Sequence, residues 1–276
     1  LEENQGRISI SGVQEKYSMV LEKNKLRLTR QGERGEYILK PVPSRGRYSD
    51  QMPANEHLTM QIATQVFDIE VAPNALIFFK DGSPAYITKR FDKAEDGTRL
   101  AMEDFASLRG MTPQTHGKDY KYQGNYLELF NTMRRNLPAY SVEAVKLYEV
   151  LIFNYLFSNG DAHLKNFSII ETELGDYRLS PAYDLICTRM HIKDSDFALD
   201  QGLLSPALSS GKVLQQFLKL GEEAEIKKIM VDRSLEKFEA ANEAVEEIIH
   251  RSFLSNPKQR QYQQLYQEKF NKLFKR

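Results

Sequence analysis

The period of the hydrophobic pattern changes once along this chain, near Phe91. Before that point apolar and polar residues alternate, the period of strands buried on one face. After it, apolar residues recur at three and four positions, the period of helices packed along one stripe. The two patterns build different layers, so the chain divides into a small sheet-rich lobe, residues 1–91, and a larger helical lobe, residues 92–276. The expected fold class is α+β, with a cleft between the lobes, and ligands favour such junctions.

Within the first part, KYSMVLEKNKLRLTRQ reads as a hairpin turning at Lys23-Asn24, and GEYILKPVP as a third strand closed by Pro41 and Pro43. ANEHLTMQIATQVF follows Pro53, a residue tolerated in a first helical turn. Its Leu58, Ile62, Ala63 and Val66 recur at helical spacing, which predicts an amphipathic helix packed on the sheet. NALIFFKDGSPAYITKRF adds two strands joined through Asp81-Gly82. In the second part, SVEAVKLYEVLIFNYLFSN is apolar almost all round and belongs at the centre of its lobe. NFSII and YRLSPAYDLI predict a hairpin around Gly175-Asp176, and from about Gly211 the pattern is helical again.

Composition narrows the partners. The 276 residues carry 38 basic and 38 acidic side chains, so no net charge recruits nucleic acid or an anionic membrane, and contact with DNA is expected only through a partner. The single cysteine, Cys187, excludes an internal disulfide, and no CxxC spacing offers a zinc site, which suits the cytoplasm. No apolar run reaches the length of a membrane span, and Leu1 to Arg7 has neither the basic flank nor the apolar core of a signal peptide. The sequence opens without Met, which leaves room for a missing upstream piece.

The chemistry concentrates in SNGDAHLKNFSII, where Asp161 and Asn166 have the D-x-x-x-x-N spacing of a kinase catalytic loop. A carboxylate there can take the proton of an attacking hydroxyl, and an amide oxygen can ligate Mg²⁺. A bland reading, a polar loop capping the preceding helix, fits the same residues. Asp184 in PAYDLI lies at the far end of the expected hairpin, which returns the chain toward Asn166 and could complete a metal site. A turn or helix cap is its plain alternative. Lys40 ends the strand YILK and Glu56 stands on the next helix, a pairing that aims an ammonium at nucleotide phosphates, although both residue types are usually solvated. GRISISGVQEK precedes the first strand, where small Ser9, Ser11 and Gly12 let backbone N–H groups approach phosphate oxygens. It matches no glycine-loop consensus.

In order, RISISGVQEK, ILKP, NEH, ITKRFD, GDAHLKNFS and LSPAYDL, between Arg7 and Ile186, resemble a HipA-type serine/threonine protein kinase, the toxin of bacterial toxin–antitoxin modules, in its compact HipT-like form. The resemblance implies a two-lobed protein-kinase-like fold that uses ATP and Mg²⁺. It makes Asp161 the catalytic base, gives Mg²⁺ to Asn166 and Asp184, and pairs Glu56 with the phosphate-binding Lys40. Ser11, Gly12, Val13, Gln14, Glu15 and Lys16 would cover the phosphates, and the main chain of Lys89, Arg90 and Phe91 would receive adenine. His163, Leu164, Lys165, Asn166, Tyr183 and Asp184 would line the rest of the nucleotide site. Ser9 or Ser11 would be autophosphorylated, placing negative charge where ATP phosphates sit and switching the enzyme off.

The same resemblance implies an aminoacyl-tRNA synthetase as protein substrate and a HipB-like DNA-binding antitoxin as partner. It also implies a small HipS-like protein that supplies the subdomain HipA-type toxins carry before the phosphate loop. Two departures stand out: Asp184 is followed by Leu-Ile rather than Phe-Gly, and His163 stands where other kinases place their catalytic lysine. A kinase of a small alcohol or amino sugar, and an inactive nucleotide-binding scaffold that gathers antitoxin and DNA, are the rival readings. His57, His116, His191 and His250 lack metal-site spacing and are expected to be structural.

Overall fold

A computed structural model of the chain describes residues 14–94 and 96–275. Five antiparallel strands form the first sheet: β1 (Tyr17–Glu22), β2 (Lys25–Leu28), β3 (Tyr37–Pro41), β4 (Asn74–Phe78) and β5 (Pro84–Lys89), in the order β2-β1-β3-β5-β4. The β1–β2 turn places Lys23 and Asn24 at φ 49° and 61°, the left-handed pair that follows strand twist. Register decides which face each side chain takes. Lys40 pairs with Tyr86 and Leu39 with Ile87, so Leu39, Ala85, Ile87 and Met19 form a small apolar cluster on one face, while Lys40 and Tyr86 point to the other.

That second face is covered by α1 (Met52–Gln65), with Pro53 in its first turn as expected. The helix differs from the amphipathic reading. Asn55, Glu56 and Thr59 are as buried as Leu58 and Ile62, because α1 is wedged between the sheet and the C-terminal helices. Each buried polar group has a distant partner: the Thr59 hydroxyl meets the Tyr262 hydroxyl at 2.9 Å, and Glu56 accepts from Lys40.

The remaining elements are β6 (Met102–Asp104), α2 (Phe105–Leu108), α3 (Pro113–His116), α4 (Leu127–Asn136), α5 (Tyr140–Leu156), β7 (Ser168–Glu171), β8 (Tyr177–Leu179), α6 (Val213–Glu223), α7 (Lys228–Ala240), α8 (Asn242–His250) and α9 (Asn256–Phe274). The expected hairpin is β7–β8, and β6 joins it as a third strand that the sequence did not announce. α5 is central, as its all-round apolar surface requires. Phe153 at its end and Phe157 just beyond it surround Phe67, which stacks on Phe238 at 4.3 Å. The result is a small β-rich lobe with one helix and a larger helical lobe. Among the described residues no helix is long and apolar enough to cross a membrane.

One clamp ties α1 to the segment after Asp184. The Asn55 amide donates to the Cys187 carbonyl at 2.9 Å and to His191 Nε2 at 2.8 Å, while its oxygen accepts the Cys187 N–H. Since that amide nitrogen can only donate, the ring is neutral and its Nδ1–H donates to the Arg47 carbonyl at 3.0 Å. Burial depresses the His191 pKa below its ordinary value near 6.5. Below pH 6.5 the unfolded chain therefore takes up a proton that the folded one refuses, and stability falls with pH until the depressed value is reached. We expect the urea midpoint to drop between pH 7.5 and 5, and to drop less in His191→Gln, which is less stable at pH 7.5. An equal acid response in both proteins would show that the clamp does not titrate.

Candidate active site

Strand β3 ends at the cleft and delivers Lys40, only 4 % exposed, against α1 and the segment after β8. Its ammonium donates to Glu56 Oε1 at 2.5 Å and forms a second, short ion pair with Asp184 Oδ1. Burial alone would lower the Lys40 pKa, but the charges of Asp184 and Glu56 outweigh it and hold the ammonium protonated. Burial pushes Glu56 upward against the pull of Lys40. Asp184 is the more exposed carboxylate; burial works against its charge, yet Lys40 and then Lys16 hold it below the usual carboxylate range. It adopts φ 55°, a left-handed conformation that Asp tolerates better than most side chains and that clusters at functional sites.

The catalytic-loop candidates close the opposite wall. Asn166 Nδ2 lies 3.4 Å from Asp184 Oδ2, and Asn166 Oδ1 accepts the His163 backbone N–H at 3.1 Å. Asp161 Oδ1 accepts from the Tyr122 hydroxyl at 2.7 Å. Gln14, Lys16, Lys40, Glu56, Asn159, Asp161, Asn166, Asp184 and Ile186 line one cleft with about 360 Å³ of empty space, solvent included. The four side chains singled out first from the sequence, at positions 40, 161, 166 and 184, thus converge.

Backbone contacts fix the loop that carries Asp161. Gly160 N–H donates to Thr188 Oγ1 at 3.0 Å, and Thr188 Oγ1 also lies 2.8 Å from the Ser158 carbonyl and 2.6 Å from Asp194 Oδ2. Asp194 packs so closely that a β-carbon on Gly160 would overlap its carboxylate and sit 2.6 Å from the Ser195 carbonyl oxygen. No side chain larger than hydrogen fits there.

Several expected site residues lie elsewhere. Lys165 is exposed and donates to Asp104 Oδ2 at 2.6 Å, outside the cleft. Leu164 is fully buried in the core, so its side chain cannot line a solvent-accessible site. Glu15 is exposed and accepts from the Tyr17 hydroxyl. The Tyr183 hydroxyl donates to the Lys165 carbonyl at 3.0 Å and pairs with Ser168 at 2.6 Å, while its ring meets that of Phe91 at 5.8 Å. The N–H groups of Lys89 and Arg90 are committed to the carbonyls of Pro73 and Glu36, so these two amides cannot also donate to a base. His163 is buried beside the cleft, where burial and then Lys121 push its pKa down to about 3. Ser9, Ser11, Gly12 and Val13 lie outside the described residues.

The structure also adds residues. Asn159 precedes Gly160 in the quoted loop; its amide lies 3.4 Å from the Asp184 carbonyl, and its buried Oδ1 has no partner among the described residues. Tyr122, Lys121, Thr188 and Asp194 carry no motif, since each acts through a contact far along the chain, the last two at Gly160.

The donor set suits a hard cation shared with a phosphate. Among the described residues no cluster of His, Cys, Asp and Glu could hold a metal by itself. Mg²⁺ asks for less: one or two protein oxygens, with phosphate and water completing the octahedron. The Asp184 carboxylate, the second lone pair of Asn166 Oδ1 and the unpartnered Asn159 Oδ1 are oxygens of that kind.

Known proteins resemble the chain in sequence and in fold. A family model described as HipA-like C-terminal domain matches residues 8–253. A protein of Sinorhizobium fredii named "Putative kinase Y4mE" is 31% identical over 188 residues, covering 66% of this chain and 43% of that protein. A second from the same organism, "Putative kinase Y4dM", is 33% identical over 207 residues, covering 70% and 48%. The chain spans about half the length of these two relatives. Among solved structures, the Shewanella oneidensis MR-1 toxin–antitoxin complex of HipA, HipB and operator DNA contains a chain that superposes with TM-score 0.74 at 19% identity, covering 97% of this chain and 64% of that one. The Helicobacter pylori proinflammatory kinase CtkA superposes with TM-score 0.58 at 14% identity, covering 92% and 90%. These two likenesses are of fold, and the fold is the two-lobed, kinase-like one.

Gly160→Ala gives a direct check on the loop. The methyl group must displace Asp194 or the loop itself, so we expect at least a tenfold loss of nucleotide-dependent activity and destabilisation of about 1–3 kcal/mol by urea unfolding. Unchanged activity and stability would mean that the packing around Gly160 is looser than described.

Proposed function

This chain belongs to the HipA-like C-terminal domain family, and on that premise we propose that it is an ATP- and Mg²⁺-dependent serine/threonine protein kinase, the toxin of a toxin–antitoxin pair. The observation that carries the reading is the buried Lys40 held between Glu56 and Asp184, with Asn166 and Asp161 facing it across the cleft.

In this reading the two lobes divide near Phe91 and the triphosphate lies between them. ATP would supply the γ-phosphoryl group, and Asp184 and Asn166 would hold an Mg²⁺ that offsets its charge. Asp161 orients a substrate hydroxyl and takes its proton as the new O–P bond forms and the bond to the β-phosphate oxygen breaks, releasing ADP. Lys40 neutralises phosphate charge from a position fixed by Glu56, so little reorganisation is needed during transfer. Positioning and electrostatics do the chemistry.

Gln14 and Lys16 line the cleft, so Ser9 and Ser11, a few positions earlier in sequence, are the hydroxyls we assign to autophosphorylation. A phosphate there adds nearly two negative charges beside the ATP phosphates and turns the kinase off. The substrate we propose is an aminoacyl-tRNA synthetase in the cytoplasm. The partners are a HipB-like antitoxin, which carries any DNA contact, and a small HipS-like protein.

Incubation with γ-labelled ATP and Mg²⁺ tests the reading. We expect label on Ser9 or Ser11 of the wild type and at least a hundredfold less in Asp161→Asn. In cells, a synthetase phosphosite present with wild type and absent with Asp161→Asn would name the substrate. Label transferred only to a small alcohol or amino sugar would replace the protein-kinase assignment. Growth arrest that persists in Asp161→Asn would replace it with a scaffold.

A further inference from the structure

The position that other kinases give to a catalytic lysine is held here by His163, and the loop's own lysine, Lys165, is bound to Asp104 at 2.6 Å. A cation nevertheless reaches the same place from another element. The short 3-10 turn Tyr120–Tyr122, between α3 and α4, sends Lys121 Nζ to within 2.9 Å of His163 Nε2. An ammonium has only hydrogens to offer, so Nε2 must accept and the imidazole is neutral. The depressed His163 pKa agrees with that assignment.

The next residue completes the arrangement. Tyr122 is 5 % exposed, its ring stands edge-on to His163 at 5.2 Å, and its hydroxyl donates to Asp161 Oδ1 at 2.7 Å. A carboxylate can accept at several lone pairs, so the bond from Tyr122 fixes its orientation without preventing it from taking a proton. One turn therefore touches both the carboxylate that would receive the substrate proton and the ring two residues beyond it. The His163 backbone N–H in turn holds Asn166, which contacts Asp184.

We propose that Lys121 is a catalytic residue that meets the transferred phosphoryl group, replacing the missing loop lysine, and that Tyr122 is the positioning residue for Asp161. The assignment rests on the kinase reading above and goes beyond it in placing the essential cation outside the catalytic loop. Charge redistributes over the transferred phosphoryl group and the leaving β-phosphate oxygen only during transfer, so a cation placed there changes turnover more than ATP binding.

The test is steady-state phosphoryl transfer from ATP by the full chain, to itself or to a generic acceptor protein, with thermal melting of each variant as the control for folding. Lys121→Met is expected to lower kcat about a hundredfold with KM for ATP within threefold, and Lys121→Arg to recover at least tenfold of that loss. Tyr122→Phe is expected to lower kcat about tenfold with KM for ATP unchanged. If Lys121→Met melts early, Lys121→Gln, which keeps a hydrogen bond to His163 without the charge, replaces it and should show the same kcat loss. An active wild type whose kcat stays within twofold in both Lys121→Met and Lys121→Gln overturns this assignment alone. So does a Lys121→Arg no better than Lys121→Met, which marks a structural role. A wild type that transfers no more phosphate than Asp161→Asn overturns the kinase reading and this assignment with it.

Discussion

The fold turns on one buried ammonium. Lys40 is withdrawn from water, and a lone charge in that position would lose its proton or force the site open. It stays because two carboxylates from different elements meet it, Glu56 from the N-terminal half of α1 and Asp184 from the segment beyond β8. The same pairing explains why α1 can bury a glutamate on a face packed between a sheet and helices. Removing Lys40 would leave two carboxylates facing each other with no ammonium between them, so sheet, helix and C-terminal lobe are held together by a contact that only a charged site requires. A site kept for stability alone would do as well with apolar residues.

Around that centre the polar groups act as spacers. Thr188, backed by Asp194, holds the backbone at Ser158 and Gly160, Asn55 ties α1 to Cys187 and His191, and Tyr122 braces Asp161. Each lies just behind a side chain that faces the cleft. A nucleotide would meet groups whose orientation is already set, the condition under which hydrogen bonds and charges stabilise a developing phosphoryl charge most effectively.

Much of this was legible in the sequence, and the misses have physical reasons. The change of hydrophobic period near Phe91, the turn at Lys23-Asn24 and the all-round apolar α5 are local signals, and they gave the sheet, its first hairpin and the central helix. D-x-x-x-x-N and the later Asp184 were readable because the chemistry needs them close in space and a short hairpin brings them there. β6 was missed because a three-residue strand carries no periodicity. α1 read as amphipathic because the partners of Asn55, Glu56 and Thr59 lie far away, at Cys187, Lys40 and Tyr262. The resemblance places Lys165 in the site, whereas its direction is set by Asp104, 61 positions earlier. The resemblance gives adenine to the main chain of Lys89 to Phe91, and two of its amides, those of Lys89 and Arg90, are taken by the carbonyls of Pro73 and Glu36, which lie outside that motif.

The central claim is that Lys40, Asp184, Asn166 and Asp161 form one nucleotide–metal site, and calorimetric titration of ATP with and without Mg²⁺ tests it most directly. The account predicts saturable binding by the wild type that strengthens at least tenfold with Mg²⁺, and a Mg²⁺ dependence that disappears in Asp184→Ala. Failure to bind ATP, or binding indifferent both to Mg²⁺ and to the loss of the Asp184 carboxylate, would contradict it.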